Sequence, residues 1–155
     1  MEQLQLDNMN YDNNINGFNV RYDYWGDIEK LNWYENTKHY GYDANTRISE
    51  YLMDNFTIEH IIKLKNFVVE QRQALQNMLR GYFKASPTSV RKEFILGDDA
   101  FWDFASHIVG MGRTMFMYVY DHPEVVLLMQ KDYQENFEYG FDYAISAINN
   151  ETKVN

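Results

Sequence analysis

The chain has 155 residues, 45% apolar and 17% aromatic, enough for one folded domain with a proper core and too much hydrophobic material for a disordered chain. It carries 14 basic against 23 acidic residues, a net of −9, which disfavours nonspecific binding to nucleic acid or anionic membranes. It has no cysteine, so disulfides, thiolate zinc sites and cysteine nucleophiles are excluded together.

The charge is segregated. Residues 1–56 hold 4 basic and 10 acidic residues, residues 57–92 hold 7 and 2, and residues 93–155 hold 3 and 11. The net charges are −6, +5 and −8. Such segments either complement one another across the fold or leave an acidic surface for a basic partner. No run approaches the roughly 18 apolar residues of a membrane helix. The N-terminus lacks a basic start and an apolar stretch, so no leader is expected and the cytoplasm is the expected location.

In chain order, residues 1–20 are asparagine-rich and are expected to form a polar arm, followed by one helical domain over 21–150 and a tail at 151–155. From Phe18 to Trp25 aromatic and polar residues alternate, predicting a short strand that Gly26 breaks. Asp27 to Lys38 suits either a helix or a hairpin. Thr57 is a helix cap with Glu59 in the first turn. Ile61, Leu64, Val68, Gln71, Leu75, Met78 and Tyr82 then recur at helical spacing, predicting a helix that Gly81 ends. Lys63, Lys65, Arg72 and Arg80 fall outside that stripe. After the Ser86-Pro87 loop, Asp98 and Asp99 open a second helix with Phe101, Phe104, Ile108 and Met111 on its core face. Pro123 restarts the chain, and Val125 to Phe141 is the last amphipathic stretch, through to about Ile148. The fold class predicted is mainly α: a small helical domain with a short β or irregular, aromatic-rich N-terminal segment.

Few residues gather into chemistry. Asp99, Asp103 and His107, spaced by four on one helix, suit a divalent metal, but one helix supplies too few ligands, and acids in a first turn are ordinary helix chemistry. No metal or other cofactor is therefore expected. Gly110-Met111-Gly112-Arg113 lacks the third glycine and the lysine of phosphate loops and reads as close helix packing. Glu135, Glu138 and Asp142 line one helix face. Tyr22, Tyr24, Trp25 and Trp33 belong to an aromatic run richer than a small core requires, and such residues favour interfaces.

The stretch Gly97-Asp98-Asp99-Ala100-Phe101-Trp102-Asp103-Phe104 resembles the domain-of-unknown-function 4240 family. Ile108-Val109-Gly110-Met111-Gly112-Arg113, Phe116, His122-Pro123-Glu124 and the helix start Thr57-Ile58-Glu59-His60-Ile61-Ile62 extend the resemblance over roughly residues 57–145. Ala105 and His107 stand where the family has an arginine and a tryptophan. The resemblance implies a helical domain and no particular chemistry.

These features predict a non-enzymatic, acidic protein-binding inhibitor of toxin-immunity or phage anti-defence (anti-CRISPR) type. Its partner would be a protein with a basic surface, not nucleic acid or membrane, and Tyr22, Tyr24, Trp25, Trp33, Glu135, Glu138 and Asp142 are the candidate contacts. A structural virion component, self-assembling through the arm, is the second expectation, and a metal-dependent hydrolase using Asp99, Asp103 and His107 the third.

Overall fold

The computed structural model describes residues 22–137, together with Asn14, Ile15, Phe18, Asn19, Phe141 and Ala144. Asn14–Ile15 (β1) and Phe18–Asn19 (β2) pair antiparallel, with Ile15 opposite Phe18. The remainder of the expected arm and the tail lie outside the described residues. From Tyr24 onward the chain is helical: α1 (Tyr24–Leu31), α2 (Trp33–Tyr40), α3 (Asp43–Asn55), α4 (Ile58–Ala85), α5 (Thr88–Arg91), α6 (Asp98–Gly110), α7 (Arg113–Asp121), a 3-10 turn (Pro123–Val125) and α8 (Val126–Asn136). Among the described residues no helix is long and apolar enough to cross a membrane.

Of the strand expected from Phe18 to Trp25, the described residues are strand only at Phe18–Asn19; Tyr22 and Asp23 are irregular and a helix begins at Tyr24. Asp23 caps α1 by accepting from the Gly26 amide at 3.0 Å, so Tyr24 and Trp25 begin a helix rather than end a strand. The ambiguous stretch after Asp27 is two helices. They are separated by Asn32 in the left-handed region (φ 49°), a conformation asparagine tolerates better than most residues.

α4 is the longest element, roughly 42 Å at 1.5 Å per residue, and packs along α6. Thr57 caps it as expected, accepting from the His60 amide at 3.1 Å. Gly81 does not end it. The apolar stripe continues through Leu79 and Phe83, and Phe83 stacks on Phe94 at 4.6 Å, so the last turn is held by packing until Ser86 and Pro87 stop it. Arg72 is likewise not on the solvent face. It is buried, its guanidinium 3.2 Å from the centre of the Trp102 ring, and its Nη1 donates to Gln76.

α6 begins at Asp98 with Phe101, Phe104 and Ile108 buried as expected; Met111 falls just past its end and is half-buried. α2 lies against α3 and touches α6, α7 packs on α6, and the 3-10 turn packs against both α7 and α8. Gly110 marks the tightest approach. A Cβ there would sit 2.5 Å from Trp33 Cδ1 and 2.8 Å from Phe141 Cβ. Glycine is what lets α2 and the Phe141 segment close on α6. α8 ends at Asn136, where Phe137 turns extended; Phe141 and Ala144 are again helical and buried.

Candidate functional site

Three of the expected contact residues are core. Tyr24, Trp25 and Trp33 are all buried. Trp25 packs edge-on against Phe67 and 5.0 Å from Phe116, while Trp33 packs on Phe141. The physical reason is helix length. α1 and α2 have eight residues each, and helices that short must bury large side chains to hold their place. Tyr22 is exposed, as is Glu135 on α8; Glu138 and Asp142 lie outside the described residues.

The metal reading meets a similar fate. Residues four apart drift by about 40° per step around a helix of 3.6 residues per turn, so eight residues carry a side chain well off the starting face. Asp99 is exposed, Asp103 half-buried, and His107 only 2% exposed. The His107 ring is enclosed by Trp33, Tyr34, Tyr133 and Phe137, with centroids 4.3 to 6.5 Å away. Its Nδ1 accepts from Trp33 Nε1 at 3.2 Å. Burial pushes the imidazole down to about 4, only partly opposed by the Asp132 carboxylate. It is a neutral core group. Asp132 itself serves α2: it accepts from the Tyr34 hydroxyl at 2.7 Å, which holds its carboxyl below the usual range, and burial together with that bond pushes Tyr34 up to about 12.

The Gly110–Arg113 segment is already occupied by protein. Gly112 (φ 107°) opens α7, and the Arg113 amide donates to Glu29 Oε2 at 2.9 Å, so a carboxylate of the chain sits where a phosphate loop would hold its ligand.

The constellation that sequence reasoning missed lies where α1 meets α4. His60 Nε2 is 2.7 Å from Asp27 Oδ2, and the Tyr22 hydroxyl donates to Asp27 Oδ1 at 3.0 Å. Asp27 is buried, and its two oxygens serve the two partners. Burial and the bond to Asp27 push Tyr22 up to about 12. The His60 ring, 20% exposed, stacks on Phe56 at 4.7 Å and on Tyr24 at 5.6 Å and meets the Tyr22 ring edge-on at 4.8 Å. Phe56 in turn meets Tyr51 at 6.4 Å. Tyr22, His60, Phe56 and Tyr51 therefore form one row of rings from the residues just before α1 across the α3–α4 corner. The signal available in the sequence was the Thr57 cap, which fixes His60 in the first turn of α4; nothing local pairs it with a residue 33 positions earlier.

Four exposed large apolar side chains fall on the two helices that meet at that corner. Tyr51, Met53, Ile58 and Ile62, all between residues 51 and 62, are exposed, with Ile58 at 55%. Exposed acids border them in sequence: Glu50, Asp54 and Glu59. Comparisons with protein-family models, with curated proteins and with solved structures find no match for this chain.

Proposed function

We propose that this chain is a non-enzymatic protein-binding domain, an inhibitor of toxin-immunity or phage anti-defence type, and that it docks a basic partner with the α3–α4 corner. One observation carries the reading: large apolar side chains are concentrated and exposed between residues 51 and 62. Contiguous exposed apolar patches mark interaction sites, whereas single exposed side chains need no explanation. The aromatic row supplies faces on which an arginine or lysine can lie, and Glu50, Asp54 and Glu59 supply the opposite charge. The net charge of −9 steers a basic partner to the same surface. The hydrolase alternative finds no support at Asp99, Asp103 and His107, since His107 is buried against an indole and Asp99 is exposed.

The test is association kinetics with the partner captured by the immobilised protein, at two salt concentrations. Raising salt is expected to slow association far more than it speeds dissociation. Replacing Ile58 and Tyr51 by alanine is expected to shorten the lifetime of the complex. Regular self-assembly with no heterologous partner would overturn the proposal in favour of the structural reading.

A further inference from the structure

A second feature of the first three helices points to a different ligand chemistry; it shares Tyr51 with the docking corner but rests on two cations outside it, Lys30 and Arg47. A cleft of about 120 Å³ lies between α1, α2 and α3, lined by Lys30, Leu31, Asn36, Arg47, Ile48 and Tyr51. In a chain with 23 acidic residues, its two cations have no carboxylate partner among the described residues. Asp43 and Glu50 stand one helical turn either side of Arg47 on α3, where ion pairs commonly form, and neither bonds it. The Arg47 guanidinium instead lies over the Tyr40 ring, its central carbon 3.7 Å from the ring centre. A cation–π contact uses none of the guanidinium's N–H donors on a carboxylate, and those donors are what take a planar or tetrahedral oxyanion bidentately.

We infer that this cleft binds a small oxyanion, a phosphoryl or carboxylate group, between Lys30 and Arg47. Lys30 alone would say little, since the last turn of α1 favours a cation in any case. Arg47 sits in the middle of α3 and has no such reason to be there. The walls are fixed independently of any ligand: Asn36 Nδ2 donates to the Leu31 carbonyl at 2.8 Å, tying α2 to the end of α1. Leu31 and Ile48, both buried, make an apolar floor that lowers the local dielectric beneath the two charges. Size sets the ligand class. A water takes about 30 Å³ of liquid volume, so the cleft has room for one oxyanion group with part of its hydration. It is far below the roughly 300 Å³ at which pockets for drug-sized molecules begin.

The experiment is a titration of the ¹⁵N-labelled full chain with inorganic phosphate, with sodium acetate, and with sodium chloride at matched ionic strength. Saturable shifts are expected at the amides of Leu31, Asn36 and Ile48, with a dissociation constant on the order of 1 mM, about 4 kcal/mol of binding. Tighter binding of phosphate identifies a phosphoryl ligand, and tighter binding of acetate a carboxylate. Arg47→Gln should weaken binding at least tenfold and Lys30→Gln severalfold. Lys63→Gln, at an exposed lysine paired with Glu59, should leave it unchanged. Both cleft residues are exposed, so the variants keep the fold, and well-dispersed spectra will verify it. Linear shifts equal to those from chloride, or saturable binding that survives Lys30→Gln and Arg47→Gln together, would overturn the inference.

Discussion

Two histidines of this chain sit among aromatic rings, and they have opposite roles. His107 has four rings around it, is almost sealed from water, and satisfies its Nδ1 with an indole N–H. His60 has three rings around it, keeps a fifth of its side chain in solvent, and faces a carboxylate. Aromatic neighbours alone therefore do not define a site. What separates the two regions is water and a formal charge: one holds α2, α6 and α8 together, and the other opens onto the surface beside the exposed apolar corner.

The comparison is broken most severely by emptying the buried region. Trp33→Ala or Phe104→Ala should cost about 3–5 kcal/mol in chemical unfolding, because both side chains are essentially wholly buried and their neighbours cannot collapse fully into the gap. The same truncation of exposed Tyr51 should cost under about 1 kcal/mol, in line with surface substitutions. Equal losses at Trp33 and Tyr51 would show that the corner is part of the core and not a contact surface.

Acid sharpens the contrast. The folded His107 titrates near 4, below its ordinary 6.5, so the native state binds fewer protons than the unfolded one. Its contribution to stability is complete above pH 6.5 and is lost as the pH falls through 4, about 3 kcal/mol in all at about 1.4 kcal/mol per pH unit. Between pH 6.5 and 5, before most carboxylates titrate, the wild type should lose about 2 kcal/mol more than His107→Gln. Urea unfolding at the two pH values measures the difference; identical slopes would mean that His107 is not held neutral by burial.

At the other histidine the expected loss is smaller. Asp27→Ala leaves the Tyr22 hydroxyl and His60 Nε2 without their shared acceptor, and both are partly wet, so about 1–3 kcal/mol is expected. The same change should bring the Tyr22 hydroxyl back from about 12 toward its ordinary 10, read by ultraviolet titration, although the part due to burial will remain. An unmoved Tyr22 titration would show that the hydroxyl does not depend on Asp27.

How much of this was legible in the sequence depends on the range of the interaction. α4 announces itself through a cap, a first-turn acid and a 3.6-residue stripe, and α6 through two first-turn acids and such a stripe, all of them local. Gly81 misleads because glycine inside a helix costs only about 1 kcal/mol, less than the packing of Phe83 beyond it returns. The α1–α2 break at Asn32 carries no glycine or proline to mark it. Aromatic content over residues 22–34 could not separate core from surface, since tryptophan is favoured in both; only the placement of Phe67, Phe116 and Phe141 around those residues decides. Asp27 and His60 are joined by tertiary packing alone, and no periodicity connects them.

The finest test sets the two core tryptophans against each other. The Trp33 Nε1–H donates to His107, whereas Trp25 Nε1 is buried with no hydrogen-bond partner among the described residues. Phenylalanine at either position removes an N–H and part of a ring. At Trp33 it also strands the buried Nδ1 of His107, a loss of about 1–3 kcal/mol beyond the packing change. At Trp25 it removes a group already denied both water and a partner, so the gain from deleting that donor offsets part of the lost area. Trp33→Phe should therefore be more destabilising than Trp25→Phe by at least about 1 kcal/mol, although the two rings are equally buried. Parity between the variants would mean that the indole–imidazole bond adds nothing beyond ring packing, and that burial alone sets the character of the His107 region.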